Sequence, residues 1–513
     1  MMMISSLTTM TTSPPGYYLS DNDRIYIKVK MENNQNYYLR INENGLLVAD
    51  TAFPWIHGSL FQLSTVNNTD NFYIKSLGNY YHNIIHLNIN LNLILANNKY
   101  VSVLSNNSMI GTTPGIAPLD SKETGSLIHV SFLNKDNFDS QFTIDEKQII
   151  ISRAHFVAAT SPGYNPIFTI EKVIPHRGTS LGSWFIPEQW MVPDFYKDID
   201  IFDSQLCGLV SKVGLDEAEV RMQKHLATWV TEEDFDFFAA QGLNALRIPF
   251  GYWNIIDDPT GSFIPQKATV SLAYIDWAFE QSHKRGINII LDYHGLPGSQ
   301  NGWDHSGCGY QGINWDKPQN LEISYKVLDI VSERYTKWPN LAGIEIINEP
   351  AISVEKDNHQ VLKEYYQKAY SIIRKYSDST VVIFSILWSD FYGVWKDELK
   401  EPDYYNVVVD WHLYDWDEDG FDGSDEGHVK RVEIWKLWFS QFQTSYPIMV
   451  GEWSVSESMK ESKSSQAFLT AQVNAFDNTW GWFYWNFKIA GDKWRVWSFE
   501  DVIQDKLTFS RSA

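Results

Sequence analysis

The sequence predicts an α/β protein in which an N-terminal all-β, β-trefoil-like domain precedes a (β/α)8 TIM barrel. Two patterns support this prediction, and they change at Pro175. Before that residue, short runs with period-two alternation are separated by Asn, Asp, Gly and Ser, which is typical of an all-β unit. After it, short apolar runs alternate with amphipathic helical stretches, and eight such runs fit a barrel of parallel strands.

The region from Arg24 to Val173 contains about a dozen β-rich runs and no convincing helix. The runs NYYLRI (36–41) and KYVSV (99–103) look like imperfect copies of one element. Weak repetition over that many strands favours a β-trefoil, with a plain β-sandwich as the alternative. We therefore expect a disordered leader (1–20), a β-trefoil domain (21–174) and the barrel (175–513).

The second region supplies the elements of the barrel in chain order. Candidate strands lie near residues 178–181, 243–248, 287–293, 343–347, 380–384, 406–411, 448–451 and 482–485. Candidate helices span 232–241, 274–285, 321–338, 360–376, 429–444 and 466–477. Near-continuous apolar strands indicate a parallel sheet covered on both faces. A doubly wound sheet is the alternative, but no glycine-rich phosphate loop follows an early strand.

The composition excludes several classes of function. The net charge of −22 disfavours nucleic acid and anionic membrane surfaces, both of which need a cationic face. No run approaches the roughly 20 apolar residues of a membrane span. Aromatic residues make up 15% of the chain and include 21 Trp. Most are expected in the core, but an excess of indole in an acidic protein also suits stacking on sugar rings.

The chain has two cysteines, Cys207 and Cys308, which excludes a disulfide scaffold and a cysteine-based zinc site. Two buried thiols are the favoured interpretation, and one disulfide is the alternative. Although Cys308 lies close to His305, the sequence HSGCG is loop-like, so a structural cysteine is expected rather than a nucleophile. His294 and His412 lack a third ligand at a recognisable spacing, so we expect no metal and no cofactor.

Polar and aromatic residues follow the apolar strands, at the end where barrel enzymes carry their catalytic groups. They are Arg247, His294, Asn348, Glu349, His412, Tyr414, Glu452 and Trp485. Two carboxylates across a sugar-sized pocket are what glycosidic bond cleavage requires. We expect Arg247 and Tyr414 to keep Glu452 ionised, and burial to keep Glu349 neutral.

Seven motifs in order then resemble the fungal and plant exo-β-1,3-glucanases of glycoside hydrolase family 5. They are RGTSLGSWFIPEQW (177–190), LNALRIPFGYW (243–253), LDYHGLPGSQNGWDHSG (291–307), IINEP (346–350), DWHLYDW (410–416), GEWS (451–454) and GWFYWNFK (481–488). The N-terminal domain resembles the fascin-like β-trefoils. Two roles stay open for it, carbohydrate binding or packing on the barrel.

The resemblance implies a retaining mechanism with Glu349 as acid/base and Glu452 as nucleophile. Asn348 would bind the sugar 2-hydroxyl, and Arg247 and Tyr414 would hold the nucleophile. The other implied positions are His294 and His412 lining the −1 subsite, Glu188 gripping the non-reducing end, Trp485 stacking at −1, and Trp303 with Trp416 clamping the +1 sugar.

The sequence therefore predicts a retaining exo-acting β-glucosidase that hydrolyses β-1,3-glucan or related β-glucosides. Two alternatives stay open. One is a glucosylceramide or steryl-glucoside hydrolase of the same family, and the other is a catalytically dead module for carbohydrate or cytoskeletal binding. No signal peptide is visible between Met1 and Pro15, so a cytoplasmic location is expected, although the resembling family is commonly extracellular.

Overall fold

The chain divides into two units, Met1–Ile174 and Pro175–Ala513. In the computed structural model, the described residues of the second unit are 175–199, 206–259, 267–309, 312–351, 359–385, 395, 398–399, 403–415, 424–443, 446–455, 462–490, 495–505 and 508–509. The first unit is described at Ile174 and in the backbone of its strands.

Eight parallel strands close into a barrel in the second unit. They are β1 (His176–Ser180), β2 (Ala245–Gly251), β3 (Asn288–Gly295), β4 (Leu341–Glu345), β5 (Val381–Ser385), β6 (Val407–Leu413), β7 (Ile448–Trp453) and β8 (Gly481–Tyr484). Each strand pairs with the next, and β8 returns to β1 through pairs such as Gly178 with Phe483. The eight-stranded parallel barrel predicted from the sequence is confirmed.

Helices separate the strands as the amphipathic pattern predicts. They are α1 (Leu206–Val213), α2 (Leu215–Trp229), α3 (Glu232–Ala240), α4 (Ala268–Lys284), α5 (Pro318–Tyr335), α6 (His359–Arg374), α7 (Asp425–Phe442), α8 (Ser462–Phe476) and α9 (Phe499–Gln504). Short 3-10 turns lie at Pro193–Tyr196, Tyr252–Asn254, Asp304–Ser306 and Arg495–Trp497. Sequence reasoning missed α1, α2 and α9. In α2 the buried residues are Ala218, Met222 and Leu226, a stripe too narrow to stand out.

The strands are apolar because the helical layer covers them, and every residue of β2, β5 and β7 is buried. Polar residues in the strands recur at a spacing of two, so their side chains share one face. Asp292 and His294 form such a pair on β3, and Asp410 and His412 form another on β6. This spacing collects charged groups in the barrel interior.

The loop after β3 is anchored to the barrel by the indole of Trp253, which is completely buried. Gly251, Gly295 and Gly307 all lie against this ring, because a Cβ atom at each would come within 2.4, 2.6 and 2.2 Å of it. Gly307 also has a φ of +82°, which side chains other than glycine rarely adopt. The close packing requires glycine at all three positions.

Cys207 on α1 is joined by a disulfide to Cys308 in the same loop. The Cα atoms lie 5.6 Å apart, within the usual range for a disulfide. Our favoured interpretation of two buried thiols was therefore wrong. The two residues are 101 positions apart in sequence, a separation that carries no information about pairing.

The first unit contains short strands with antiparallel pairing, for example Arg24–Lys30 with Ile167–Lys172. The others are Asn36–Ile41, Leu47–Thr51, Phe61–Thr65, Phe72–Ser76, His86–Leu87, Asn90–Leu93, Val101–Leu104, Phe132–Leu133 and Gln141–Phe142. The turns and the leader fall outside the described residues. The β-trefoil and the boundaries given for it therefore stay predictions.

Removing the disulfide is expected to lower the free energy of unfolding. A cross-link over a loop of this length restricts the unfolded chain, so a Cys207→Ala, Cys308→Ala double variant should lose about 2–5 kcal/mol in denaturant titrations. Thiol counting on the unreduced, denatured protein should find no free thiol, and two after reduction. Two thiols before reduction would contradict the cross-link.

Candidate active site

Arg247 lies in the barrel interior and is completely buried. Its Nε donates to Glu345 Oε2 at 2.8 Å, its Nη1 to Glu452 Oε1 at 2.8 Å, and its Nη2 to Asn348 Oδ1 at 2.9 Å. Asp292 lies 3.0 Å from Nη2. Burial alone would lower the pKa of Arg247, but the surrounding carboxylates outweigh it and raise that pKa. The guanidinium therefore stays charged and fixes groups from several strands.

Glu452, on β7, is held at both carboxylate oxygens. Oε1 accepts from Arg247, and Oε2 accepts from the Tyr414 hydroxyl at 2.7 Å. Burial raises the pKa of Glu452, while His412 and Arg247 act in the opposite direction. The carboxylate is thereby fixed in orientation at the end of its strand.

Glu349 follows β4 and lies opposite Glu452. Its backbone has a φ of +43°, a left-handed value that is rare outside glycine and recurs at functional sites. His412 Nδ1 lies 2.6 Å from Glu349 Oε1 and 3.4 Å from Glu452 Oε2. One oxygen of each carboxylate and a nitrogen of His412 all lie within 4.8 Å of one another. The three groups therefore form one proton-sharing cluster.

His412 determines where the charge lies in this cluster. Burial alone would lower the pKa of His412, but Glu452, Asp410 and Glu349 raise it well above its usual value. Burial alone would likewise raise the pKa of Glu349, but His412 outweighs it and lowers that pKa to about 2. The expectation that burial keeps Glu349 neutral was therefore wrong in direction for the free site, and the pKa of Glu452, which Arg247 and Tyr414 were expected to keep ionised, is raised. The reason is that His412 lies closer to Glu349.

A second layer of acids lies beneath the cluster, and sequence reasoning missed it. Asp410 accepts from His412 Nε2 at 3.0 Å and from the Gly451 N–H at 2.7 Å. Burial raises the pKa of Glu345 well above its usual value, whereas His412 and Arg247 outweigh burial at Asp410 and lower its pKa. The shared D-x-H spacing of LDYH and VDWH was the available signal for Asp292 and Asp410.

The loop after β3 contributes two more groups that the sequence did not single out, Asn301 and His305. His305 Nδ1 lies 3.1 Å from His294 Nε2, and its Nε2 lies 3.5 Å from Glu349 Oε2. The side-chain amide of Asn301 lies 3.1 Å from His305 Nε2. His294 in turn contacts Asp292 Oδ2 at 2.6 Å. Burial lowers the pKa of His305 to about 4.

Glu188 lies in the loop after β1 and is buried. Its Oε2 accepts from the Trp190 indole N–H at 2.8 Å. Burial raises the pKa of Glu188 to about 8, and the charges of Glu452, Asp304 and Glu349 act in the same direction. This electrostatic influence indicates that Glu188 shares the pocket with the carboxylate pair.

The predicted aromatic positions differ in what the structure describes. Trp485 is buried and stacks on His294, with ring centres 5.5 Å apart and an interplanar angle of 5°. Trp303 is 44% exposed and stacks on His305 at 5.4 Å. Trp416 lies outside the described residues. Trp485 and Trp303 therefore offer aromatic faces on two sides of the histidine pair.

Among the described residues, two groups bring metal-ligand atoms within 4.8 Å of one another. They are Glu349 with His412 and Glu452, and Glu345 with Asp410 and His412. Hydrogen bonds between imidazole and carboxylate, together with Arg247, account for this closeness without an ion. The absence of a metal stays a prediction.

The fold and the site together are those of a glycoside hydrolase, with acidic groups at the carboxyl end of a parallel barrel. A family model described as cellulase (glycosyl hydrolase family 5) matches residues 212–491. The match covers more than half of the chain, and the chain belongs to that family. No described helix has the length and apolar character needed to cross a bilayer.

Curated relatives share sequence over the barrel region. A protein named glucan 1,3-beta-glucosidase from Blumeria graminis is 34% identical over 248 residues, covering 46% of this chain and 55% of that protein. One named probable glucan 1,3-beta-glucosidase A from Aspergillus niger is 27% identical over 380 residues, covering 64% of this chain and 86% of that protein. The chain thus spans just over half of the Blumeria protein and most of the Aspergillus one.

A solved structure supports the fold alone. The crystal structure of rutinosidase from Aspergillus niger superposes with a TM-score of 0.56 at 21% identity. The superposition covers 66% of this chain and 98% of the rutinosidase chain.

The buried Glu188 predicts a pH-dependent difference in stability. Its pKa of about 8 in the folded protein exceeds the ordinary value of 4.5, so its contribution to stability is complete below pH 4.5 and is lost as pH rises through 8. Glu188→Gln removes this titration but keeps an acceptor for Trp190. The Tm of the variant should therefore rise relative to wild type between pH 5 and 9.

The control for this prediction is Glu217→Gln, because the Glu217 side chain is 51% exposed and pairs with Arg221 on the surface. Its Tm difference from wild type should stay constant over the same range. A constant difference for Glu188→Gln as well would mean that Glu188 is ionised in the folded protein.

Proposed function

We propose that this protein is a retaining, exo-acting β-glucosidase that hydrolyses β-1,3-glucan or a related β-glucoside. The observation that carries the proposal is the closeness of Glu349 and Glu452, which have carboxylate oxygens within 4.8 Å of each other. Retaining enzymes hold their two carboxyl groups about 5–5.5 Å apart, whereas inverting enzymes leave about 6.5–9.5 Å for a water molecule. Oxygens this close support the shorter separation of a retaining enzyme.

Glu452 is the proposed nucleophile. Arg247 and Tyr414 bind one oxygen each, so the carboxylate is fixed for attack on the anomeric carbon. In the first step a carboxylate oxygen bonds to that carbon while Glu349, which draws on the proton it shares with His412, gives a proton to the departing glycosidic oxygen. In the second step water attacks the same carbon, its proton passes to Glu349, and Glu452 is released.

Asn348 and the histidines are the proposed −1 subsite. Arg247 holds the Asn348 carbonyl oxygen, which turns the amide N–H2 toward His294 at 3.4 Å. That N–H2 can donate to the sugar 2-hydroxyl, a hydrogen bond that strengthens in the transition state. Trp485 supplies the apolar face of the same subsite.

Glu188 is the proposed determinant of exo action. A buried carboxyl group bonded to Trp190 can bind the terminal hydroxyls of one sugar, and its proposed role is to end the pocket at that sugar. We propose that the exposed face of Trp303 forms one half of a clamp on the +1 sugar, with Trp416 as the other half. The preference for β-1,3-glucan follows the names of the curated relatives.

A substrate panel tests the reaction and the substrate class together. Laminari-oligosaccharides should release glucose from the non-reducing end, and NMR of the first product should show the β-anomer because two displacements retain configuration. Initial α-glucose would overturn the retaining mechanism. Internal cleavage of long chains would overturn exo action. A preference for glucosylceramide or steryl glucosides would replace β-1,3-glucan as the proposed substrate.

Loss of the acid should depend on the leaving group. Glu349→Ala should lower kcat/KM for laminaribiose by about 10²–10⁴-fold, the range for general acid catalysis. An activated dinitrophenyl glucoside needs no proton donor for departure and should lose less in the glycosylation step. Glu452→Gln is the matched control, since loss of the nucleophile should abolish turnover of both substrates. Equal losses on both in Glu349→Ala would remove it from the acid role.

A further inference from the structure

A hydrogen-bonded path runs from the interior of the barrel to Glu349 through two histidines. Asp292 Oδ2 lies 2.6 Å from His294 Nδ1, and His294 Nε2 lies 3.1 Å from His305 Nδ1. His305 Nε2 then faces Glu349 Oε2 at 3.5 Å. The position of each proton on this path decides what His305 can do for Glu349.

The buried end of the path fixes one set of protons. Asp292 is paired with Arg247 at 3.0 Å, so its carboxylate accepts and the N–H of His294 lies at Nδ1. The Asn348 N–H2 group, which can only donate, lies 3.4 Å from His294 Nε2, so that nitrogen is an acceptor and also accepts from His305 Nδ1 at 3.1 Å. A neutral His305 is consequently left with a bare Nε2 facing Glu349.

Asn301 fixes the same tautomer from the other end. Its Oδ1 accepts the backbone N–H of Trp303 at 3.0 Å, so the N–H2 group is the one turned toward the carbonyl of Glu349 and toward His305 Nε2. An amide N–H2 can only donate, which makes His305 Nε2 an acceptor. This nitrogen has one lone pair, so it accepts the acid proton of Glu349 when the Asn301 N–H2 group turns fully to the carbonyl of Glu349, its other acceptor at 3.3 Å. Burial lowers the pKa of His305 to about 4, so the ring is neutral at higher pH.

The two oxygens of Glu349 are therefore not equivalent. Oε1 receives His412 Nδ1 at 2.6 Å, a nitrogen that donates in the cationic ring. Oε2 faces the lone pair of His305 Nε2, and two acceptors at 3.5 Å favour a proton between them. A modest approach would turn this contact into a hydrogen bond, as often happens when a substrate enters.

We propose that His305 is a positioning residue whose Nε2 accepts the acid proton of Glu349, which places that proton on Oε2 on the Trp303 side of the site. The proposal rests on the acid/base role of Glu349 given above. When the glycosidic bond breaks, the proton leaves Oε2 for the departing oxygen. When water attacks the intermediate, its proton returns to Glu349, so His305 gains and loses nothing over a cycle.

Other titratable and charged groups lie around this pair, and a substitution at position 305 leaves all of them in the sequence. On the strands they are Arg247 (β2), Asp292 and His294 (β3), His412 (β6) and Glu452 (β7). In the loops they are Glu188 after β1, Asp304 after β3 and Tyr414 after β6. A comparison among variants at position 305 therefore isolates the contribution of the imidazole.

The test is the pH dependence of kcat for laminaribiose in His305→Phe, because kcat reports the proton state of the substrate complex and not that of the free site, where Glu349 is ionised. Phenylalanine keeps a ring against Trp303 but offers no acceptor, so the protonated form of Glu349 loses its partner. The alkaline limb of the pH profile, where activity falls as Glu349 loses its proton, should move to lower pH by about half to one unit. A pKa shift of this size corresponds to the free energy of one hydrogen bond. His305→Gln offers a carbonyl acceptor and should restore most of the wild-type limb. The dinitrophenyl glucoside should be affected less by either change.

The two hypotheses fail in different ways. A wild-type alkaline limb that is lost in Glu349→Ala but unchanged in His305→Phe would overturn the role of His305 and leave the proposed function standing. A limb that persists in Glu349→Ala would overturn the acid role itself. Ring ¹⁵N shifts of His305 in the full-length wild-type protein, assigned against His305→Gln, should show Nε2 unprotonated. The opposite tautomer would overturn the proposal without reference to any variant's activity.

Discussion

The ion pairs of Arg247 organise the interior of the barrel. Its completely buried guanidinium faces carboxylates from three other strands, namely Asp292, Glu345 and Glu452, and Asp410 lies 3.9 Å away. Removing a charge from water is costly unless partners replace the solvent. One cation cannot balance so many acids, so protons must be shared among them. The histidines among them and the raised pKa of Glu345 meet this requirement, and the site's proton arrangement follows from it.

Much of this arrangement could be predicted from the sequence. The carboxyl ends of parallel strands converge, so polar residues after each apolar run were expected to meet. Arg247, Asn348, His412, Tyr414 and Glu452 do meet, together with Glu349. The barrel strands were recognisable because burial on both sides makes them continuously apolar.

Other features depend on distances that a sequence does not encode. The direction of the Glu349 pKa depends on whether His412 lies nearer to Glu349 or to Glu452, at 2.6 and 3.4 Å. His305 was recognisable as a polar loop residue, but its contact with Glu349 depends on how the loop folds back. Asp410 and Glu345 lie within the strands, where the sequence pattern of an apolar run does not indicate that a polar side chain reaches the site.

The anchoring of the loop after β3 has a consequence for how such an enzyme can change its specificity. Trp253 packs on Gly295 and Gly307, and Cys308 is tied to α1, so the loop is fixed on both sides of Trp303. The exposed residue Trp303 can therefore be substituted while the loop stays attached at both points. Mutational libraries confined to Trp303 and Asp304 would diversify the proposed acceptor-binding surface on a preserved scaffold, whereas replacement of the glycines beside Trp253 would disturb the packing of the loop.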